Sequence, residues 1–115
     1  MNTTLLVTAP GALTLVQDLG RRGWRRYGVP GAGALDGGRL RIANALVGNA
    51  DGAPALEFFL AGPTLQAVDA PVQLGLAGDF AVTLQRGGDR SVLASWRSIT
   101  LQPGDSLRVG TLRSG

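Results

Sequence analysis

The chain of 115 residues has 11 arginines against 8 carboxylates, a formal net charge of +3, and no histidine, cysteine or lysine. This length suits one domain with a modest core rather than a two-domain enzyme. The missing lysine excludes a Walker-type ATP loop and a biotin attachment point, and the missing histidine and cysteine leave zinc without its preferred ligands. Schiff bases, disulfides and triads built on histidine or cysteine are excluded as well. Any chemistry must therefore use Asp and Glu as bases and Arg to bind anions.

Glycine and proline shape the rest of the composition. Eighteen glycines and six prolines in a chain that is 44% hydrophobic predict many tight turns, which is typical of a β-rich barrel. The N-terminal sequence MNTTLLVTAPG lacks the features of a secretory signal, and no apolar run is long enough to span a membrane. With cysteine absent, we expect a cytoplasmic protein.

Short strands are predicted along most of the chain. The first two cover Thr4 to Thr8 and Ala12 to Val16, and an Arg- and Gly-rich loop from Arg21 to Gly33 follows. After the helix, alternating apolar residues predict strands near residues 56–60, 64–68, 72–76, 80–84, 91–95, 98–101 and 105–109, with a hairpin turn at 86–90 and a turn at Pro103-Gly104. Such spacing favours a closed or nearly closed barrel, or two facing sheets. Gly31-Ala32-Gly33 resembles a dinucleotide-binding loop, but no predicted strand precedes it, so we reject that site.

One helix is predicted between Asp36 and Asn49. Asp36 is a good N-cap, and Gly48 stands where a left-handed stop belongs. The buried stripe at helical spacing comprises Leu40, Ala43, Leu46 and Val47.

Arg41 and Asn44 lie three residues apart on this helix, which places them on a face different from the stripe. An ordinary solvated face explains the pair. The alternative is a binding site formed by a guanidinium and an amide.

The segment from Arg21 to Tyr27 carries four arginines and two aromatic residues. Three interpretations are open: a solvated loop anchored by Trp24, a small-anion or carboxylate site, and a nucleic-acid surface. The modest net charge and the scattered remaining arginines do not support an extended phosphate track.

Glu57 interrupts an apolar strand in the sequence ALEFFL. It faces solvent if the other face of the strand is the core. If the strand lies inside a barrel, Glu57 must pair with an arginine or have a raised pKa, and either case makes it a functional candidate. Asp79 and Asp105 follow glycines at strand starts, where turn chemistry explains them.

Together these residues carry a family resemblance. Residues 14–65 read TLVQDLGRRGWRRYGVPGAGALDGGRLRIANALVGNADGAPALEFFLAGPTL, which resembles the opening of the biotin-dependent carboxyltransferase domain family. That family includes allophanate hydrolase subunit 2, the carboxyltransferase part of urea amidolyase, the KipA proteins and the C subunit of 5-oxoprolinase. The shared pattern is T-x-Q-D-x-G-R, G-V-P, D-x-x-x-x-R-x-A-N-x-L-V-G-N, A-L-E and G-P, and later elements at Asp79, Trp96 and Asp105 also fit. Gly37-Gly38 departs from the pattern, and family members continue well beyond residue 115.

The resemblance implies a mainly β fold, a cyclophilin-like β-barrel with one short helix. It implies that residues 1–115 form a single domain equivalent to the N-terminal half of the carboxyltransferase domain, as a fragment or a split subunit. The implied function is a subunit of an ATP-dependent 5-oxoprolinase or allophanate hydrolase-type enzyme that acts on a small amide, lactam or urea derivative. On this basis the chain alone is inactive.

The resemblance also implies site residues and partners. The candidate catalytic residues are Asp18, Asp36, Arg41 and Glu57, and the candidate substrate-binding residues are Gln17, Arg21, Asn44 and Asn49. We expect no metal and no cofactor bound by this chain, with ATP or carboxybiotin supplied by partner subunits. The implied partners are a KipI-like protein, or the B subunit of such an enzyme, and the missing second half-domain. A non-catalytic regulatory module of the KipA type is the main alternative, and a small RNA-binding barrel is a further one.

Overall fold

The computed structural model of the chain describes residues 5–9, 13–15, 26–31, 37–50, 53, 55–58 and 61–110. Within these residues the chain forms one helix, α1 at Gly37–Leu46. Its strands are β1 Leu5–Ala9, β2 Leu13–Leu15, β3 Arg26–Pro30, β4 Leu56–Phe58, β5 Thr64–Ala67, β6 Val72–Ala77, β7 Ala81–Arg86, β8 Asp89–Ala94, β9 Arg97–Leu101 and β10 Ser106–Val109.

The strands form three sheets. A five-stranded antiparallel sheet has the order β1-β5-β10-β7-β8, a three-stranded sheet has the order β3-β6-β9, and β2 pairs with β4. In the three-stranded sheet β3 and β6 run parallel. The mainly β class with one helix is confirmed. The sheets of the described residues are not closed into a barrel. Two facing layers describe the architecture instead.

The core lies between these layers. Successive side chains of a strand point to opposite faces of the sheet, so every second side chain points into the core. The five-stranded sheet contributes Leu65, Val82 and Leu107, which are at most 1% exposed, and β6 contributes Leu74 and Leu76 from the opposite layer. Burying each such side chain stabilises the fold by about 1.5–3 kcal/mol.

An aromatic contact joins β4 to the connection between β6 and β7. The rings of Phe58 and Phe80 meet edge to face, with centroids 5.0 Å apart and an interplanar angle of 80°. This is a favoured geometry for aromatic pairs, because the positive edge of one ring faces the negative face of the other.

The prediction of a loop from Arg21 to Gly33 was wrong in part, because this segment contains strand β3. Residues 26–30 form a strand that pairs in parallel with β6, and Tyr27 and Val29 are buried. Arginine, glycine and proline hid this strand, although proline is tolerated here because β3 lies at the edge of the three-stranded sheet. The argument against a dinucleotide loop, that no strand precedes Gly31, was therefore wrong in its premise. Ala32 and Gly33 lie outside the described residues.

Helix α1 packs on the outer face of the three-stranded sheet through two glycines. Gly28 and Gly75 are register partners on β3 and β6. A Cβ at Gly75 would lie 2.2 Å from the carbonyl oxygen of Ala43, and a Cβ at Gly28 would lie 3.0 Å from the Ala43 Cβ. The helix backbone therefore rests against the sheet at a distance that only glycine permits.

The predicted end of the helix is confirmed. Gly48 has a φ of 73°, and the amide of Asn49 donates to the carbonyl of Asn44 at 2.8 Å. This is the left-handed stop that glycine favours. The predicted N-cap, Asp36, lies outside the described residues. Within them, no helix has the length and apolarity needed to cross a bilayer.

The predicted turns at residues 86–90 and at Pro103-Gly104 are also confirmed. Gly87 and Gly88 connect β7 to β8 in a two-residue hairpin turn. Beside this turn, Oδ2 of buried Asp105 accepts bonds from Arg86 at 2.6 and 2.9 Å and from the Gln102 amide at 2.8 Å. The Arg86 guanidinium holds the pKa of Asp105 below its usual value. Asp105 is thus a turn residue, as its sequence context indicates.

Candidate functional site

Two polar contacts fix the direction of α1. Near its start, Nη1 of Arg39 donates to the carbonyl of Gly31 at 2.8 Å, just after β3 ends. Beyond its end, Nδ2 of Asn49 donates to the carbonyl of Arg26 at 2.7 Å, where β3 begins. Helix and strand therefore run antiparallel. Arg26 also donates to the carbonyl of Val47 at 3.4 Å, so the end of the helix is bound to the start of the strand from both sides.

The two flanks of α1 face different strands. On one flank, a Cβ at Gly75 of β6 would lie 3.1 Å from the Cβ of Leu46. On the other, Nδ2 of Asn44 donates to the carbonyl of Ala53 at 3.4 Å, in the segment that leads into β4. Arg41 precedes Asn44 by three residues and so lies on this β4 flank, one turn towards the helix start.

The burial of these two residues corrects the predicted common face. Asn44 is 0% exposed and belongs to the buried side of the helix, whereas Arg41 is exposed. The two residues share a flank of the helix, on which the Asn44 amide is buried and the Arg41 guanidinium is exposed to solvent. The predicted stripe is fully buried at Ala43 and Val47 and only half-buried at Leu40 and Leu46.

Strand register brings Glu57 to the same side of the sheet. Bridges join Gly28 to Ala55 and Gly31 to Phe58, so Glu57 lies beside Pro30. Leu56 and Phe58 point into the core, so Glu57 points to the face that carries α1.

Arg41 and Glu57 also lie at similar heights along the sheet. Gly28 faces the helix at Ala43 and Asn44. Arg41 precedes Asn44 by three residues, so along the sheet it lies about 4.5 Å from Gly28 towards the end of β3. Glu57 lies beside Pro30, two residues beyond Gly28, and is therefore displaced by about 6.6 Å in the same direction. We call Arg41, Asn44 and Glu57 the β4 flank.

Burial changes the acidity of Glu57. The side chain is half-buried, and desolvation raises the pKa of its carboxyl group. Both Glu57 and Arg41 belong to the described part of the chain, and they form no ion pair with each other. The flank therefore presents a separate cation and a carboxyl group whose proton is easier to retain than in water.

Asn49, predicted to bind substrate, joins the helix end to Arg26 through its side chain. The structure thus gives Asn49 a bond to the backbone of β3, as it gives Asn44 one to Ala53. The other predicted site residues, Gln17, Asp18, Arg21 and Asp36, lie outside the described residues. In the described ranges, no three acidic side chains group together as a metal site would require.

The structure also shows a polar cluster that the sequence prediction missed. Beyond the ends of β3 and β6, Nη2 of Arg39 lies 4.0 Å from Oδ2 of Asp79, and Nε1 of Trp96 donates to Oδ1 of Asp79 at 3.2 Å. Trp96 is 46% exposed and has a φ of 63°, a strained conformation for a residue with a side chain. The available signal was the match of Asp79 and Trp96 to the family pattern.

The described part of the Arg-rich segment is poorly suited to nucleic acid. Tyr27 is 6% exposed within the core and so offers no face to a stacked base. Burial raises the pKa of its hydroxyl group. Arg26 is engaged with the carbonyl of Val47. Of the two aromatic residues in this segment, Tyr27 therefore cannot stack on a nucleic-acid base.

Comparison with known families identifies the class of protein. Residues 27–115 match the family model described as carboxyltransferase domain, subdomain A and B. This match covers most of the chain, and the chain therefore belongs to the carboxyltransferase domain family, subdomain A and B.

Individual relatives agree with this assignment. The C subunit of 5-oxoprolinase from Escherichia coli (strain K12) is 42% identical over 81% of this chain and 29% of that protein. Urea amidolyase of Saccharomyces cerevisiae is 33% identical over 98% of this chain and 6% of that protein. The crystal structure of TTHA0988 superposes with a TM-score of 0.72 at 36% identity, covering 99% of this chain and 22% of that chain. The chain thus spans less than a third of the length of each of these proteins.

Proposed function

We propose that this chain supplies part of a 5-oxoprolinase or allophanate hydrolase-type enzyme, and that its β4 flank contacts a small amide, lactam or urea derivative. The similarity to urea amidolyase and to the C subunit of 5-oxoprolinase supports the reaction class. The observation that carries the site is the exposed guanidinium of Arg41 on the same flank as the half-buried carboxyl group of Glu57.

The two side chains have complementary roles. Arginine presents a planar fork of donors, so Arg41 binds the carboxylate or the polarised carbonyl oxygen of the substrate. Burial raises the pKa of Glu57, and its carboxyl group exchanges a proton with the reacting nitrogen or oxygen. Asn44 positions the helix against Ala53 and thereby sets the height of Arg41 above the sheet.

The remaining assignments complete this proposal. Asp18 and Asp36 act as positioning groups or bases, and Gln17, Arg21 and Asn49 contribute substrate contacts. Because the chain contains no lysine, ATP or carboxybiotin is bound by partner subunits, of the KipI-like or B-subunit kind, together with a second half-domain.

Replacing Arg41 with alanine in the assembled enzyme tests the site. We expect turnover of the amide or lactam substrate to fall by about a hundredfold or more, because one transition-state donor is typically worth that much. The circular dichroism spectrum should be unchanged, since Arg41 is exposed. Arg41→Lys should recover part of the activity, because the charge remains and the fork is lost.

Arg97→Ala is the matched control, since Arg97 is an exposed arginine on β9 and does not belong to the β4 flank. Its turnover should equal that of the unmodified assembly. Equal turnover in the Arg41→Ala assembly would remove the β4 flank from the reaction and favour a regulatory binding module.

A further inference from the structure

A second polar surface lies on the outer face of the five-stranded sheet, away from α1. A cleft of about 410 Å³ opens there, and its walls come from β5, β7, β8 and β10. We call it the outer cleft, and it is lined by Thr64, Thr83, Gln85, Arg90, Val92, Ser106 and Arg108. Its volume is within the range of small-molecule sites.

Register explains why these side chains converge. Arg108 on β10 lies between Thr64 on β5 and Thr83 on β7. Two residues further along β7, Gln85 pairs with Ser106 on β10 and with Arg90 on β8. Two adjacent rows of outward-facing residues thus form one polar floor with a guanidinium in each row.

The charged residues that line the cleft are all positive. Two arginines line it, and none of its lining residues is acidic. In the part of the chain that the structure describes, neither Arg90 nor Arg108 forms an ion pair.

Nearby carboxylates do not compensate for these charges. Asp89 alternates with Arg90 along β8 and so points to the opposite face. Asp105 is buried and already accepts from Arg86. A carboxylate directly opposite a cross-strand arginine would stabilise the pair, but here threonines and a glutamine occupy those positions.

From this arrangement we propose that the outer cleft binds a small organic dianion through Arg90 and Arg108, as a site separate from the β4 flank. The two arginine Cα atoms lie about 12 Å apart, two strands across and two residues along, so both long side chains reach a ligand held between them. The hydroxyl groups of Thr64, Thr83 and Ser106 supply further donors along the floor. Carboxylate and phosphate groups share the chemistry that such a site recognises.

Titration of the ¹⁵N-labelled chain with single anions tests this proposal. The probes are succinate, inorganic phosphate and acetate, each at the same ionic strength. We expect succinate or phosphate to produce saturable amide shifts confined to β5, β7, β8 and β10, and acetate to bind at least about tenfold more weakly, because it engages one arginine. Tighter binding of succinate would indicate a dicarboxylate ligand, and tighter binding of phosphate a phosphorylated one.

Substitutions assign the binding to the two arginines. Arg90→Ala and Arg108→Ala should each weaken binding by about tenfold, which corresponds to about 1.4 kcal/mol. Arg90→Lys should weaken it less, and Arg97→Ala should leave it unchanged. The proposal is overturned if no probe gives saturable shifts, if the shifts instead surround Arg41 and Glu57, or if both alanine variants bind as the Arg97→Ala control does. These outcomes are independent of turnover, so they do not depend on the proposed reaction.

Discussion

Two glycine pairs in this chain have opposite surroundings. Gly28 and Gly75 lie on the sheet face that carries α1, where an added Cβ would meet the helix at 3.0 and 2.2 Å. Gly87 and Gly88 form the hairpin turn between β7 and β8, where an added Cβ would have nothing within 4 Å. The first pair is required for close packing, whereas the second serves only the turn. A glycine in the sequence therefore does not reveal which of these purposes it serves.

Gly75→Ala should have the largest effect on stability. The added Cβ meets the backbone carbonyl of Ala43, which cannot move without shifting α1. Overpacking of this kind costs about 3 kcal/mol. Urea denaturation followed by circular dichroism measures the loss.

Gly88→Ala is the matched control. Its φ is not in the left-handed region and its surroundings are open, so the change should stay within about 0.5 kcal/mol of zero. Equal losses in the two variants would show that α1 does not rest on the sheet at Gly75.

The stability contributed by Asp105, beside the turn between β7 and β8, should depend on acid pH, unlike the packing of α1 on Gly75. Because Arg86 lowers the pKa of Asp105, the folded state gains stability above the ordinary carboxyl pKa and loses it as the pH falls through the folded value. Asp105→Asn should therefore lower the urea midpoint at pH 7, by less than Gly75→Ala does, and should flatten the acid side of the stability profile. An unchanged acid slope in this variant would assign the pH dependence to other carboxylates.

Most strands and the end of α1 could be predicted from the sequence, but strand β3 and the burial of Asn44 could not. Alternating apolar residues identified most of β4 to β10, because strands such as β4, β5 and β10 bury one face, and Gly48 marked the end of α1. Strand β3 was missed, because residues 27–30 are all buried and therefore show no alternation of buried and exposed positions. The burial of Asn44 was missed for a related reason, since only the approach of the helix to Gly28 makes that position interior.

The site was predictable only in part. Arg41 and Glu57 stood out as polar residues in apolar surroundings, but their common side of the sheet depends on the register of β3 with β4, which local spacing does not determine. Likewise, the cluster of Arg39, Asp79 and Trp96 joins residues distant in sequence.

Glu57→Gln should have the smallest effect on stability and the opposite sign to Asp105→Asn. Burial raises the pKa of Glu57 above its ordinary value of 4.5, so ionisation of this group is less favourable in the folded chain than in the unfolded chain. The stability contribution of this group is fully present below pH 4.5 and is lost as the pH rises through the folded pKa. Glutamine keeps the shape without the charge.

The variant should therefore be slightly more stable than the parent chain at pH 7, and the difference should vanish in acid. Urea midpoints measured at pH 4 and pH 7 supply the comparison. If turnover of the assembled enzyme falls while stability rises, then Glu57 is retained at a cost to the fold, which is the behaviour expected of a proton-exchanging group and not of a solvated surface carboxylate. A variant that is less stable than the parent at pH 7 would mean that the ionised carboxylate is held by a favourable contact, and the acid–base role on the β4 flank would then fail.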